Sequence, residues 1–180
     1  MRVTLEPTDS QEAILTDTCA VFTSAFNHAV DIGWQAEEGN ATNLHYLAYY
    51  PVKHAHPSLV SDLINQARVK AAEALRSAFA LRKDADRTVS KPHSSVCPPR
   101  YNKNTYRVDW PSRTVNLSTT AGRQTLRFRV PPYAERYAGF PTDTADLIGK
   151  RGRWYVHIVV TLPTPLLLSS EAIMGVDLGL

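Results

Sequence analysis

The spacing of apolar residues changes once along this 180-residue chain, near residue 100, and that change limits the folds open to it. Before this point apolar side chains recur every three or four residues, as on a helix with one buried face. After it they alternate with polar residues, as on strands with one buried face. The pattern predicts an α+β protein whose helices and antiparallel strands occupy separate stretches of sequence.

A short strand and a long helix are predicted at the start of the chain. Arg2–Glu6 alternates in polarity, and Pro7 ends it. Thr8 and Gln11 then have the spacing of a capping box, and the apolar pattern behind them predicts a helix to about Trp34. We expect the first strand to join the sheet that the second half of the chain forms.

Two further helices are predicted before the polar loop that begins at residue 84. Thr42 can cap a short helix ending at Tyr50, because Pro51 disfavours helical geometry at the residue before it. Ser58 is a good N-cap for a third helix. The apolar stripe of that helix consists of Val60, Leu63, Ile64, Ala67, Ala71, Ala74, Leu75 and Ala78.

The second half of the chain contains four alternating segments. They are Tyr106–Trp110, Arg113–Leu117, Arg123–Val130 and Trp154–Leu162. Hairpin-like turns are predicted at Asp109-Trp-Pro-Ser112 and Gly149-Lys-Arg-Gly152. Short strands at this spacing predict a small antiparallel barrel or sandwich. A last strand is predicted over Ala172–Leu180.

The formal net charge of +3 is unevenly distributed. Residues 1–56 hold two basic and seven acidic side chains, a balance of −5, whereas residues 57–107 hold ten and four, a balance of +6. Residues 108–180 hold eight and six, a balance of +2. Clustered cations favour a polyanionic partner, although a solvated helix face followed by a basic loop explains the same block equally well. Arg68, Arg76 and Lys83 are expected together on an exposed flank of the third helix.

Composition excludes several classes of protein. No apolar run reaches the ~18 residues that a membrane span needs, and no apolar stretch follows the first charge as in a signal peptide. Cys19 and Cys97 are too few for a disulfide framework or a four-thiolate zinc site. A cytoplasmic protein without a membrane partner is therefore expected.

Several side chains have both a functional and a plain interpretation. His54 and His56 with Cys97 could bind a metal, but loop histidines without a second ligand pair are expected to be solvent-exposed. His157 alternates with apolar strand residues and is expected on the surface. Tyrosines that could stack on bases, or belong to a core or its rim, are Tyr46, Tyr49 and Tyr50.

Arginines on the predicted strands form a second candidate for phosphate binding. Arg127 and Arg129 share one face of their strand, and Arg107 and Arg123 are expected beside them. A phosphate-binding surface and a merely solvated face are both open at this point.

The sharpest motif is Gly175-Val-Asp-Leu-Gly179, which has the form in which RNase H-like nucleases present their first metal-binding carboxylate. A carboxylate on a rigid strand holds Mg²⁺, and the glycines leave room for a metal-bound phosphate. The motif also occurs in sugar kinases and actin-like ATPases, and a solvated Asp177 is the plain alternative. Two-metal cleavage needs further carboxylates, and only three residues follow Asp177.

A series of short motifs in fixed order extends over essentially the whole chain. They are Pro7-Thr-Asp-Ser-Gln11, Phe26-Asn27, Pro57-Ser58, Asn65-Gln-Ala-Arg-Val-Lys-Ala-Ala-Glu-Ala-Leu75, Val115-Asn-Leu-Ser-Thr119, Gly122-Arg123, Lys150-Arg-Gly-Arg-Trp-Tyr-Val-His-Ile158 and Gly175-Val-Asp-Leu-Gly179. In these motifs the chain resembles the TnpB (OrfB-type) proteins of insertion sequences, which are relatives of type V CRISPR effectors and cut DNA under the direction of a guide RNA.

The resemblance implies a domain organisation. Residues 1–8 and 100–168 would form a wedge-type β-barrel, with a helical recognition domain and its basic loop inserted at 9–99. Residues 169–180 would start a RuvC-like nuclease domain. Guide RNA and target DNA would be the partners, and Mg²⁺ would bind Asp177 only in a complete nuclease. This chain departs from the family pattern in lacking the later acidic residues and the cysteine-rich zinc element, so it is not expected to cleave DNA itself.

The resemblance and the charge pattern together predict a set of nucleic-acid-binding residues. They are Tyr50, Asn65, Gln66, Arg68, Lys70, Arg76, Lys83, Lys91, Arg100, Lys103, Arg107, Arg123, Arg127 and Arg129. Two alternatives remain open from the sequence. One is a naturally truncated or nuclease-dead regulator that binds nucleic acid, and the other is an α+β protein-interaction domain.

Overall fold

A computed structural model describes residues 1–84 and 88–164, with the side chains of residues 83 and 84 excepted. The predicted strand Ala172–Leu180, and Asp177 with it, lies outside the described residues. The elements in chain order are β1 (Arg2–Glu6), α1 (Asp9–Gln35), α2 (Ala41–Ala55), α3 (Ser61–Asp84), β2 (Arg100–Tyr101), β3 (Tyr106–Asp109), β4 (Thr114–Thr119), β5 (Gly122–Arg129), a 3₁₀ helix (Pro132–Tyr137), β6 (Thr142–Lys150) and β7 (Arg153–Val160). The predicted α+β class is confirmed.

The strands form one antiparallel sheet of seven strands in the order β2-β6-β7-β1-β5-β4-β3. The first strand pairs with β5 on one side and with β7 on the other, as predicted. The two edge strands, β2 and β3, follow one another in the chain and are joined by a turn in which Thr105 and Tyr106 donate backbone hydrogen bonds to the Asn102 carbonyl. The sheet therefore curls into a nearly closed barrel, in agreement with the predicted antiparallel architecture.

The first helix starts where its sequence indicates. The Gln11 amide donates to Thr8 Oγ1 at 3.3 Å, and the Thr8 amide donates to Gln11 Oε1 at 3.1 Å, which completes the predicted capping box. Fully buried apolar side chains on one face, among them Leu15 and Phe22, explain why the helix continues to Gln35.

The second helix corrects two predictions. Its N-cap is Asn40, whose Oδ1 accepts from the Thr42 and Asn43 amides at 2.8 and 3.2 Å, so Thr42 is not the cap. The helix also runs through Pro51 to Ala55 instead of ending at Tyr50. A proline inside a helix costs about 3 kcal/mol, but α2 offsets this by burying Leu44, Ala48 and Val52 completely on one face.

The third helix begins at Ser61, two residues later than a helix capped by Ser58 would. Residues 56–59 form a turn instead, in which the Leu59 amide donates to the His56 carbonyl at 3.1 Å. The Leu59 side chain is buried in the core, and this burial stabilises the turn that replaces the first turn of the predicted helix.

Strand β6 has no counterpart among the predicted strands. Its register against β7 shifts between Thr142 and Ala145, so polar and apolar residues do not alternate regularly along it. A strand with such a bulge cannot be recognised in the sequence from the alternation of polar and apolar residues.

Helices and sheet share one continuous core that contains buried residues from all three helices and from all seven strands. Gly33 lets α1 and α3 approach closely, since a Cβ atom there would lie 2.4 Å from Leu75 Cδ1 and 2.9 Å from the Glu38 carbonyl oxygen. The Cys97 amide donates to Thr23 Oγ1 at 3.0 Å and ties α1 to the chain entering β2. No helix within residues 1–84 and 88–164 is long and apolar enough to cross a membrane.

Candidate nucleic-acid interface

The cations of the helical segment are mostly bound within the protein. Lys70 Nζ donates to the Pro98 carbonyl at 2.7 Å and to Asp146 Oδ1 at 3.0 Å, and its side chain is only 14% exposed. It therefore fastens α3 to β6 and to the loop before β2. Lys70 is a predicted nucleic-acid-binding residue, but the structure gives its charge an internal partner.

Arg68 departs furthest from expectation. It is 8% exposed, and its Nη1 donates to the Ala41 carbonyl at the start of α2. Burial lowers the pKa of its guanidinium. The expectation that Arg68 lies on an exposed flank of the third helix is wrong, because the short second helix covers that flank.

Two further predicted cations are paired with carboxylates from elsewhere in the chain. Lys91 contacts Asp31 of α1. Arg100 forms a bidentate pair with Glu73, with N–O distances of 2.8 and 3.2 Å. The Arg100 hydrogen bond holds the pKa of Glu73 below its usual value, and the same contact raises the pKa of Arg100.

The remaining predictions in the helical segment are scattered. Arg76 and Lys103 are exposed, and Tyr50 is 65% exposed. Asn65 and Gln66 are half-buried. The side chain of Lys83 lies outside the described part.

By contrast, the predicted arginines of the barrel lie together on the exposed face of the sheet. Arg107 is opposite Asn116 in the β3–β4 register, and Arg127 is opposite Thr114 in the β4–β5 register. Arg123 Nη1 donates to Asn116 Oδ1 at 3.0 Å and Nη2 donates to the Asn104 carbonyl at 2.6 Å, so its guanidinium reaches across β4 towards the turn between β2 and β3. The expectation that these side chains share one face is confirmed.

Their charges differ in availability. Arg129 is paired with Glu6 of the neighbouring strand. Within residues 1–84 and 88–164, no carboxylate lies within 4.0 Å of Arg107, Arg123 or Arg127. We call these three side chains the arginine face.

A crevice connects the arginine face with the helices. Val60, Ser61 and Asp62 at the start of α3 form one wall, and the other wall is formed by Asn104, Thr105, Ser118, Gly122 and Arg123. A hydrogen bond with Ser61, one of the residues that line this crevice, lowers the pKa of Tyr49 of α2.

The exposed side of α2 carries a connected set of rings. His45 and Tyr49 stack with centroids 5.0 Å apart, and Tyr50 meets Tyr49 edge-on at 5.1 Å. Tyr46 is 78% exposed. Such rings are suited to stacking on unpaired bases.

A second cationic site was not predicted from the sequence. Strand β1 and the β6–β7 hairpin enclose a pocket of about 580 Å³ lined by Arg2, Ile148, Lys150, Arg151, Arg153, Tyr155 and His157. We call it the hairpin pocket. Its sequence signal is the turn Lys150-Arg-Gly-Arg153, which carries three cations but lies outside the block with the largest positive balance.

The histidine and cysteine candidates have structural roles. His56 is buried, with Nδ1 donating to the Val52 carbonyl at 2.9 Å and Nε2 3.0 Å from Ser24 Oγ, so its expected exposure is wrong. His54 is exposed, but on α2 rather than in a loop. The described residues contain no group of three potential metal ligands.

Burial raises the pKa of Cys19 to about 12 and also raises that of Cys97, so neither thiol is an activated nucleophile.

Comparison with known proteins adds no family to this description. None of the protein-family models matches the sequence, and a search of the curated proteins finds no match.

Proposed function

We propose that this chain binds nucleic acid and that the arginine face holds the phosphate backbone. The observation that carries the proposal is the set of three guanidinium groups on β3 and β5, the two strands that flank β4, with no carboxylate partner among the described residues. Guanidinium groups match phosphate oxygens in geometry, and they lose less hydration on pairing than lysine ammonium groups do.

The neighbouring aromatic helix favours a ligand with unpaired bases. Tyr46 and Tyr50 present ring surface to solvent. Ser61, which lowers the pKa of Tyr49 of the same helix, lines the crevice that also contains Arg123. A single strand, or the open end of a duplex, would place phosphates on the arginine face and bases against the rings. A purely electrostatic duplex binder would not need the exposed rings.

We further propose that the chain is the guide-RNA- and target-DNA-binding portion of an RNA-guided DNA endonuclease of the TnpB type. The ordered motifs quoted above support this, as does the sequence of elements: one strand, three helices and then the other strands of a barrel. In such a protein Asp177, outside the described residues, would be one ligand of the catalytic Mg²⁺. Its loss in a complete nuclease would abolish cleavage and leave RNA binding unchanged.

The test compares binding of a structured RNA to the chain and to the triple variant Arg107→Gln, Arg123→Gln, Arg127→Gln at two salt concentrations. Each lost phosphate contact should lower the slope of log K against log salt by about 0.7 to 0.9. Because all three side chains are exposed, the melting temperature should change little. Fluorescence anisotropy and thermal melts provide the two measurements.

The outcomes separate the competing functions. Weak binding that is independent of salt would reject nucleic-acid binding and favour the protein-interaction domain. Strong binding by both proteins would place the interface elsewhere on the chain. Cleavage of DNA by a complete nuclease carrying Asp177→Ala would instead favour a different carboxylate and leave the binding function intact.

A further inference from the structure

The hairpin pocket combines several cations with one concave surface. Lys150 and Arg153 are opposite each other at the end of the β6–β7 ladder, and Arg151 occupies the turn between them. Arg2 of β1 approaches from the other side and stacks over the Tyr155 ring, with its guanidinium carbon 5.0 Å from the ring centroid. No carboxylate is among the described residues that line the pocket.

The cations of this pocket lack internal partners in the described part of the chain. None of Arg2, Lys150, Arg151 or Arg153 has a carboxylate within 4.0 Å there. The nearest acidic side chain in the strand register, Asp146 opposite His157, is already bound to Lys70. Like charges held together without a counter-charge repel each other, and a bound anion would remove that repulsion.

The turn of the hairpin pocket has an uncommon backbone conformation. Arg151 has a φ of 53°, in the left-handed region, and Gly152 follows with a φ of 67°. A two-residue hairpin with both φ values positive favours Asn-Gly or Asp-Gly, because an ordinary side chain in this conformation costs about 1 to 2 kcal/mol. Arg113 has the same φ outside the pocket, so the unpaired charges of the pocket, and not this strain, point to a ligand.

We propose that the hairpin pocket binds a phosphate group of the same polynucleotide chain that lies on the arginine face. This inference rests on the function proposed above and adds a second contact point to it. In the strand register, Arg129 of β5 is opposite Thr4 of β1, and Thr4 is opposite Tyr155 of β7. Two strand spacings of about 4.8 Å therefore lead from the strand of the arginine face to the wall of the pocket, which is within the reach of one nucleic-acid segment.

The charge chemistry selects this ligand over an acidic peptide. Arginine side chains from two elements converge on a small volume, where a tetrahedral phosphate can accept bidentate hydrogen bonds from more than one of them. Arg153 also lines a neighbouring pocket that extends across β1 to Arg129 of β5 and contains Glu12.

The test uses the 180-residue chain and two double variants that remove the same charge. The pocket variant is Arg151→Asn with Arg153→Gln. The control variant is Arg113→Asn with Arg136→Gln. Arg113 also has a left-handed φ, of 53°, and lies outside the lining of the pocket. Because asparagine tolerates this backbone conformation, neither variant should lose its hairpin turn.

A short single-stranded RNA and inorganic pyrophosphate serve as probes. We expect the pocket variant to bind the RNA about tenfold more weakly at low salt, with the salt slope reduced by about 1.4 for two lost contacts, while the control stays within about twofold. In NMR titrations, pyrophosphate should shift the resonances of Tyr155 and His157 in the unaltered chain.

The remaining outcomes are decisive in either direction. Equal RNA affinity of the pocket and control variants would overturn the inference and leave the arginine face as the proposed interface. Pyrophosphate shifts without an effect of the pocket variant on RNA binding would identify a site for free phosphate and also overturn it. If the unaltered chain binds no RNA, the proposed function fails. If the pocket variant unfolds, pyrophosphate shifts that an equimolar RNA abolishes would support the inference.

Discussion

The helical segment and the barrel use their cations in different ways. In the segment that extends from α3 into β2, carboxylates hold Lys70, Lys91 and Arg100, and a backbone carbonyl receives buried Arg68. On the barrel, the arginine face and the hairpin pocket present their cations to solvent without a carboxylate in the described part of the chain. The first group holds the fold together, whereas the second is available to a ligand.

This difference shows that the charge density along a sequence does not give the charge that remains unpaired on the folded surface. In the block with a balance of +6, Lys70, Arg82 and Lys91 pair on folding with the distant carboxylates Asp146, Glu37 and Asp31. Among the described residues of the block with a balance of +2, the acidic residues pair with one of its cations, Arg113, which contacts Glu135. What a ligand encounters is the charge left over after internal pairing.

The largest expected effect tests the buried member of the first group. Arg68→Glu should cost about 3 to 5 kcal/mol of unfolding free energy, because it places an unpaired carboxylate beside the Ala41 carbonyl. Arg76→Glu, one exposed position two turns further along α3, should stay within about 0.5 kcal/mol. Urea denaturation of both variants measures the difference. If both variants lose similarly little unfolding free energy, Arg68 is accessible to solvent and does not belong with the cations that hold the fold together.

Much of the fold could be predicted from residues whose signals are local. The Thr8 capping box, the period-two strands and the joining of β1 to the sheet all follow from short patterns. The failures arose where packing overrode a local preference. Pro51 lies inside α2 because burial of one face of that helix stabilises it by more than the proline costs. Strand β6 was not predicted because a bulge interrupts the alternation of its polar and apolar residues.

The site was harder to predict because it depends on pairing between distant residues. Alternation along β5 was sufficient to place Arg127 and Arg129 on one face. No local pattern could indicate that Lys70 meets Asp146, which lies 76 positions further along the chain. The hairpin pocket was missed for the same reason, since Arg2 joins the turn around Arg151 only once β1 pairs with β7.

A smaller effect is expected at the partly buried ion pair of the first group. Lys70→Met keeps the apolar stem but removes the hydrogen bonds to Pro98 and Asp146, and it should cost about 2 kcal/mol. A double-mutant cycle with Asp146→Asn should give a favourable coupling energy between the two side chains. A coupling of zero would show that Lys70 is not held by Asp146 in solution, and its charge would then belong with the second group.

A weaker, pH-dependent contribution is expected from Glu73. Its folded-state pKa is lowered by the hydrogen bond from Arg100, so the stabilisation is present above the unfolded pKa, near 4.3, and is lost as pH falls through the folded value. Since the Glu73 side chain is 50% exposed, the contribution should be only about 0.2 to 1 kcal/mol. Unfolding free energies of the chain and of Glu73→Gln should differ at neutral pH and converge in acid. A gap that persists in acid would contradict this.

The smallest expected effect is the sharpest test of the comparison. Lys91→Gln with Arg100→Gln removes two predicted nucleic-acid contacts, yet RNA affinity should change by no more than about twofold, because both cations are already occupied by carboxylates. The matched variant Arg123→Gln with Arg127→Gln removes the same charge from the arginine face and should weaken binding about tenfold, with a clear loss of salt dependence. Anisotropy titrations under identical buffer conditions compare the two, and thermal melts verify that both are folded. Equal losses would mean that RNA responds to the net charge of the chain and not to which of its cations are unpaired.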